Sequence, residues 1–388
     1  MNKEIKMKAR LIAYYLPQFY PIPENDEVWG PGFTEWTNVA QARPQFHGHY
    51  QPRIPADLGF YDLRLSETRE QQAQFAKECG IEGFCYYHYW FGNGKQLLER
   101  PFREVLESGK PDFPFCLAWA NHSWKTDTWK NGGGRVMIAE QRYTGDEDHI
   151  NHFNNLLPAF LDKRYITVDG KPLFCIYDPY HFKNLPQFLS LWRKLARDNG
   201  LPGIYFAAMT NSTSTIKIQP DGSLTRISPN LTCSGQVYKD ILALGFDSII
   251  SLGKSRGEML YQGKYKRMID YLLHKKLTFL PAMRFNYPKV MEHFFAPEDK
   301  WENVFPTIIP QWDRTPRAGR SEGIYVNSTP ENFRKHLKDA INLVAHKDEE
   351  HRIIMMKSWN EWGEGNYVEP DLKYGHGFLD SLKSELED

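Results

Sequence analysis

Eight short apolar runs, with helical patterns between them, limit the fold of this chain more than any other feature. They are "ARLIAYYLPQF" (9–19), "IEGFCYYHYW" (81–90), "FPFCLAWAN" (113–121), "KPLFCIYDP" (171–179), "GIYFAAMT" (203–210), "FDSIISL" (246–252), "FPTIIPQW" (305–312) and "RIIMMKSWNEW" (352–362). β-Branched and aromatic residues dominate them, as they do strands. Amphipathic stretches lie between most of them, at 96–108, 148–163, 185–199, 257–275 and 331–346. The helical "SETREQQAQFAKECG" precedes the second run, with Gly80 as its stop. Alternating strand and helix predicts parallel strands joined by crossovers. Near-continuous apolarity within each run predicts a sheet buried on both faces. Eight such units in 388 residues predict one domain over 1–388, an α/β fold of the (β/α)8 TIM-barrel type with long loops at its C-terminal face. "KLTFLPAMRF" (276–285) competes for the seventh strand.

Polar and aromatic residues cluster just after the strand ends: "YYHYW", "WANHSW", "QWDR" and "WNEWGEG". In a barrel these are the loops where active sites sit. The segment 20–66, rich in Pro, Gly and Trp, is expected to cover that mouth, and the Ser/Thr/Asn-rich 211–232 reads as a surface loop. With 48 basic and 48 acidic side chains, neither nucleic acid nor an anionic membrane is the expected partner. No run approaches the ~20 apolar residues of a membrane span, and the N-terminus lacks the apolar region of a signal peptide. A cytoplasmic location is expected. Five Cys with no C-x-x-C pair suggest neither disulfides nor zinc, and Cys85, Cys116 and Cys175 read as small buried hydrophobes. No dinucleotide or P-loop glycine motif appears, and "NGGGR" (131–135) follows no strand, so no cofactor is expected. Aromatics make up 14% of the chain; part of that fits a cleft that stacks rings on sugar faces, and the rest fits an aromatic core.

The stretch "SWNEWGEGNYVEP" (358–370) holds the leading catalytic candidates, Glu361 and Glu364. Alternation puts Trp359 and Glu361 on one face. Gly363 permits a turn that swings Glu364 toward the same cavity. Two such carboxyls near Trp rings titrate apart, which is the division of labour that glycoside chemistry uses. The bland alternative is a solvated acidic loop. Candidate substrate-binding residues are Tyr15, Trp29, Glu35 and Trp36 from the first strand and loop, then Tyr86, His88 and Trp90, which share one strand face. Trp119, Asn121, Trp124, Trp312, Asp313, Trp359 and Asn360 complete the set. An Asp313–Arg317 pair braces its loop in the plain reading. His47, His49 and Glu35 have no diagnostic metal spacing, so no metal is expected. Glu369 is expected to serve the loop rather than the chemistry.

Five stretches carry a resemblance. They are "YYLPQFYPIPENDEVWGPGFTEWTNVAQARPQFHGHYQPRIPADLGFYDLRL", "GIEGFCYYHYWF", "LLERPFREVLESGKPDFPFCLAWAN", "GKPLFCIYDP" and "SWNEWGEGNYVEPD". Over nearly its full length the chain resembles the WbsX-type family of bacterial polysaccharide-biosynthesis loci, a branch similar to glycoside hydrolase family 99. The resemblance implies a (β/α)8 barrel and retaining cleavage of α-mannosidic linkages within an oligo- or polysaccharide. It implies that Glu361 deprotonates the sugar 2-hydroxyl, which attacks C1 to give a 1,2-anhydro sugar. Glu364 then protonates the leaving oxygen and later activates water. The WbsX branch is commonly labelled a glycosyltransferase. A glycan-binding barrel without turnover is the third reading. This chain departs from the family pattern at Tyr20, where His is usual, at His122 and Ser123, where Glu-Asn is common, and at Arg314, where Asn is usual.

Overall fold

The apolar runs become the wall of a closed barrel. A computed structural model describes residues 7–125, 136–182, 184–211, 215–219, 224–227, 234–276, 282–319 and 323–387. The barrel strands are β1 (Arg10–Tyr15), β2 (Gly83–Trp90), β3 (Phe115–Trp119), β4 (Lys171–Ile176), β5 (Tyr205–Thr210), β6 (Ser248–Ser251), β7 (Val304–Ile308) and β8 (Ile353–Met356). Each pairs in parallel with the next, and β8 returns to β1. Helices lie in every crossover, as the right-handed parallel connection requires. This is the expected (β/α)8 barrel.

Local chemistry sets the helix limits. Helix Ser66–Glu78 stops before Gly80, which takes φ 85. Helix Pro330–Val344 starts with Pro330 behind Thr329, whose hydroxyl accepts from Asn332 N. Two predictions shift. The stretch 257–275 divides into Lys254–Gln262 and Lys264–Lys276, with Gly263 at φ 84 between them. The seventh strand, Val304–Ile308, falls in the run expected to form it, and Arg284–Asn286 beside the competing stretch pairs with Ile324–Val326 in a small separate sheet. Thr215–Ile218 and Leu224–Ile227 form an antiparallel pair inside the region read as a loop. "NGGGR" (131–135) and Cys233 lie outside the described residues.

The barrel interior is filled from below. Cys85, Cys116 and Cys175, on three neighbouring strands, meet one another next to Tyr14, which stacks on Tyr87 at 5.4 Å between centroids. All three cysteines are buried, as expected. The outer strand faces pack on the helices; Phe174, for example, meets Trp192 of helix Leu185–Asp198 at 5.0 Å. Among the described residues no helix is long and apolar enough to cross a membrane. The predicted runs overshoot the seventh and eighth strands, which end at Ile308 and Met356. The segments just beyond those two strand ends contribute to the mouth.

Candidate active site

After β8 the chain is fastened to β1 before it turns. Trp359 N donates to Tyr14 O at 2.8 Å. The Asn360 side chain accepts from Leu16 N at 2.7 Å and donates to Leu16 O at 3.0 Å. Asn360–Glu361 then pairs antiparallel with Asn366–Tyr367, and a single 3-10 turn, Trp362–Glu364, sits between them. The left-handed residue of this turn is Gly365, at φ 53. Gly363 has another role from the one expected. A Cβ there would lie 1.8 Å from Glu35 Oε1, so the absent side chain makes room for a carboxylate from the first loop.

That approach brings three carboxyls together. Glu35, Glu361 and Glu364 are all buried, and Arg317 spans them. Its Nε and Nη2 reach the two Glu35 oxygens at 3.1 Å each, and Nη1 reaches Glu364 Oε1 at 2.8 Å and Glu361 Oε2 at 3.9 Å. Arg314 Nε lies 3.0 Å from Glu364 Oε1, and Lys357 Nζ lies 3.9 Å from Glu364 Oε2. Glu361 and Glu364 thus share Arg317 Nη1 as a neighbour. Two ionised carboxylates in one buried site repel, which drives their proton affinities apart. Burial, then the Glu364 charge, pushes the Glu361 carboxyl above the usual range. Burial also opposes ionisation of Glu364, but Arg314, Arg317 and Lys357 outweigh it and hold Glu364 well below that range. At rest the proton therefore sits on Glu361, the opposite of the state that the implied acid and base roles would require.

Two buried networks hold these groups. Asp313 accepts from Gln51 Nε2 at 2.7 Å and from Thr315, and lies 2.7 Å from His49 Nε2. Burial raises its pKa, but His49 and Arg53 bring it down to about 2. Asp313 thus fixes the loop bearing Arg314 and Arg317. The expected Asp313–Arg317 brace is replaced by this one, because Arg317 is taken by the carboxyls. Glu369 accepts from Trp362 Nε1 at 2.6 Å, Gln72 Nε2 at 2.6 Å and Tyr61 OH at 2.8 Å. Burial lifts it to about 7 despite those donors. It anchors the ring between Glu361 and Glu364, which matches its expected service to the loop.

The structure divides the candidate residues into groups. Glu35, Glu361 and Glu364 meet at the mouth. Trp36 stands behind them, 5.4 Å from Trp362. Trp312 lies under Lys357 and Lys254, 5.7 and 4.4 Å from its ring. Trp124 stacks on Tyr89 at 5.5 Å. Tyr86, His88 and Trp90 do share a face, but it is the outer one. Tyr86 packs on Phe102, the His88 ring meets His152 Nε2 at 2.8 Å, and Trp90 stacks on His152. Their neighbours Tyr87 and Tyr89 face inward, where the Glu361 charge adds to burial in raising both hydroxyls. Trp119 is also on the outer side, against His152 and Phe188. Tyr15 donates outward to Gln72 at 2.6 Å. Asn121 bonds Asp178, Asn360 bonds Leu16, and Trp359 packs on Phe84; each fixes a loop to its strand. Trp29 stacks on Phe33 within the first loop. His49 and Glu35 are engaged separately, with Asp313 and Arg317.

Sequence reasoning left out Lys357 and the clamp formed by Arg317. The Lys357 signal is a lone charge at the end of the apolar "RIIMMK". Among the described residues, a group with metal-ligand spacing is Glu302, Asp348 and His351, with ligand atoms within 4.8 Å of one another. It precedes β7 and β8, at the barrel end opposite the mouth.

Comparison with known proteins agrees with this architecture. The model of the family described as Glycosyltransferase WbsX matches residues 11–382. Two curated relatives, both described as uncharacterized protein WxcX, come from Xanthomonas campestris pv. campestris strains B100 and ATCC 33913. Each is 32% identical over 98% of this chain and 50% of its own length. The chain thus spans about half the length of these relatives. Among solved structures, a glycoside hydrolase-like protein is similar with a TM-score of 0.56 at 15% identity, over 100% of this chain and 96% of the other. The GH99 endo-alpha-mannosidase from Bacteroides thetaiotaomicron, in complex with BIS-TRIS-propane, gives 0.52 at 14% identity, over 97% and 95%. These likenesses establish a shared barrel fold.

Proposed function

The chain belongs to the WbsX glycosyltransferase family, and from that premise we propose that it is a glycan-active enzyme that cleaves or transfers α-linked, mannose-like residues of a bacterial polysaccharide. One observation carries the reading: two carboxyls, Glu361 and Glu364, buried together at the mouth of a barrel and gripped by Arg314, Arg317 and Lys357. Residues 1–388 are read as one catalytic unit built on that barrel.

The chemistry follows from the proton on Glu361. A sugar entering the mouth draws Arg317 from Glu364, which raises the proton affinity of Glu364. The proton passes from Glu361 to Glu364. Glu361, now a carboxylate, accepts the proton of the sugar 2-hydroxyl as that oxygen attacks C1. Glu364 delivers its proton to the departing oxygen as the C1–O bond breaks. A 1,2-anhydro sugar results. Glu364 then takes a proton from water, whose oxygen attacks C1, and Glu361 returns its proton to O2. The pair ends with the one proton it began with, and two inversions retain the anomeric configuration. No protein nucleophile is needed, unlike in the usual double displacement.

The family description favours a second reading, transfer from a nucleotide sugar. The test is incubation with a panel of α-linked bacterial polysaccharides, with and without nucleotide sugars, followed by product analysis. The proposal predicts new reducing ends without nucleotide sugar, lost in Glu361→Gln and in Glu364→Gln. Chain growth only when nucleotide sugar is present would replace it with the transferase. Glycan binding with no product under either condition would leave a glycan-binding barrel.

A further inference from the structure

Helix Lys264–Lys276 carries its apolar residues on the wrong side for a chain in water. Tyr265, Met268, Ile269, Leu272 and Leu273 stand at i, i+3, i+4, i+7 and i+8, the spacing of one continuous stripe. In an ordinary surface helix that stripe faces the core. Here the five side chains are 76%, 54%, 52%, 47% and 42% exposed. Leu260 and Tyr261, at the end of the preceding helix, are exposed as well, at 41% and 36%. Seven of the fourteen large apolar side chains exposed among the described residues thus fall within 260–273. Apolar side chains exposed singly are normal, but a contiguous stripe marks a contact surface.

Charge tells which contact fits. The helix sequence, "KYKRMIDYLLHKK", holds five Lys or Arg and one Asp. The whole chain is balanced at 48 against 48, so the total conceals a local excess. A second copy of the chain would pair the stripe with itself and set these cations against their own copies. An anionic lipid surface suits both features, with acyl chains against the stripe and headgroups against the cations. Tyr261 and Tyr265 suit the boundary between the two, where amphipathic rings sit. The stripe is also tied to the mouth. Helix Lys254–Gln262 starts where Lys254 Nζ lies 4.4 Å from the Trp312 ring, and about 10 Å of helix leads from there to Tyr261.

We propose that helix Lys264–Lys276, with Leu260 and Tyr261, lies in the plane of an anionic membrane surface and holds the barrel mouth close to it. This stands apart from the reading of the carboxyls, since the stripe can bind lipid whether or not the mouth cleaves glycan.

Sedimentation of the intact protein with vesicles at low salt tests it, using phosphatidylcholine alone and phosphatidylcholine mixed with phosphatidylglycerol. Binding to the anionic vesicles is expected to be about tenfold or more tighter than to the neutral ones, a modest share of what five basic residues near a charged surface supply. Ile269→Gln combined with Leu272→Gln keeps the charge and is expected to remove most of that binding. The unfolding midpoint should not change, because both side chains already face water. No binding to the anionic vesicles, equal binding to both kinds, or binding that survives the double substitution each overturns the proposal. A lowered midpoint in the double variant overturns it too, by showing that the stripe packs inside the protein. So does a dimer, seen by light scattering, that the same substitutions dissolve.

Discussion

Gly363 gives the sharpest test of how the site is assembled. An alanine Cβ would lie 1.8 Å from Glu35 Oε1, 2.7 Å from Cδ and 3.2 Å from Cγ. Glu35 cannot swing aside freely, because Oε1 accepts from Arg317 Nε at 3.1 Å and from Asn38 Nδ2 at 3.3 Å, and Oε2 lies 3.1 Å from Arg317. Ordinary contact needs a shift of roughly 1.5 Å, on van der Waals separations of about 3.5 Å. That breaks the grip of Arg317 on Glu35. Overpacking of this kind costs about 1–3 kcal/mol. Backbone strain adds nothing, since Gly363 is absent from the left-handed set that includes Gly365. In a Glu35→Ala background the obstacle is gone. The same Gly363→Ala change should then be neutral within about 0.5 kcal/mol, or stabilise by restricting the unfolded chain. Urea unfolding of the four proteins in this cycle measures the coupling, expected at about 1–3 kcal/mol. Equal costs of Gly363→Ala in both backgrounds would falsify the claim that this glycine exists to admit Glu35.

Other expectations come from the same charges. Arg314→Asn removes a cation that holds Glu364 below the carboxylate range, so the Glu364 pKa should rise; carbon NMR of labelled glutamate carboxyls reads it directly, and an unmoved titration would count against the clamp. Glu369 is raised to about 7 from the 4.5 of a free glutamate. The folded state therefore holds its proton more tightly than the unfolded state. That contribution to stability is complete below pH 4.5 and is lost as pH rises through 7, with a slope of up to about 1.4 kcal/mol per pH unit. Glu369→Gln should flatten this part of the stability–pH curve, and an unchanged slope would exclude Glu369 as its source. Trp362→Phe deletes the indole donor to Glu369; chemical unfolding should show a loss of about 1–3 kcal/mol, and no loss would mean that the ring is held by packing on Tyr367 and Trp36 instead.

The barrel was legible in the sequence because strands buried on both faces read as unbroken apolar runs, and eight of them alternate with helices. The same property hid which way each strand faces. In "YYHYW" every residue is aromatic or histidine, so neither alternating set is polar enough to mark the solvent or cavity side. The sharing of one face by Tyr86, His88 and Trp90 could be read; that it is the helix-facing side could not, and a choice shifted by one residue exchanges all of them for Tyr87 and Tyr89. The carboxyl pair was legible for a local reason, two acids three apart beyond a strand end. Its electrostatics were not, because they depend on Arg314 and Arg317, remote in sequence beyond β7, and on Lys357, just after β8 but outside the motif. The fold brings these within 4.0 Å of the pair, and only then is the order of the two pKa values decided. A motif can therefore identify the pair that shares a proton, while the side on which the proton rests is decided by residues outside the motif. In this chain Arg314 is one of them, so replacing it alters the proton balance of a motif whose own residues are untouched.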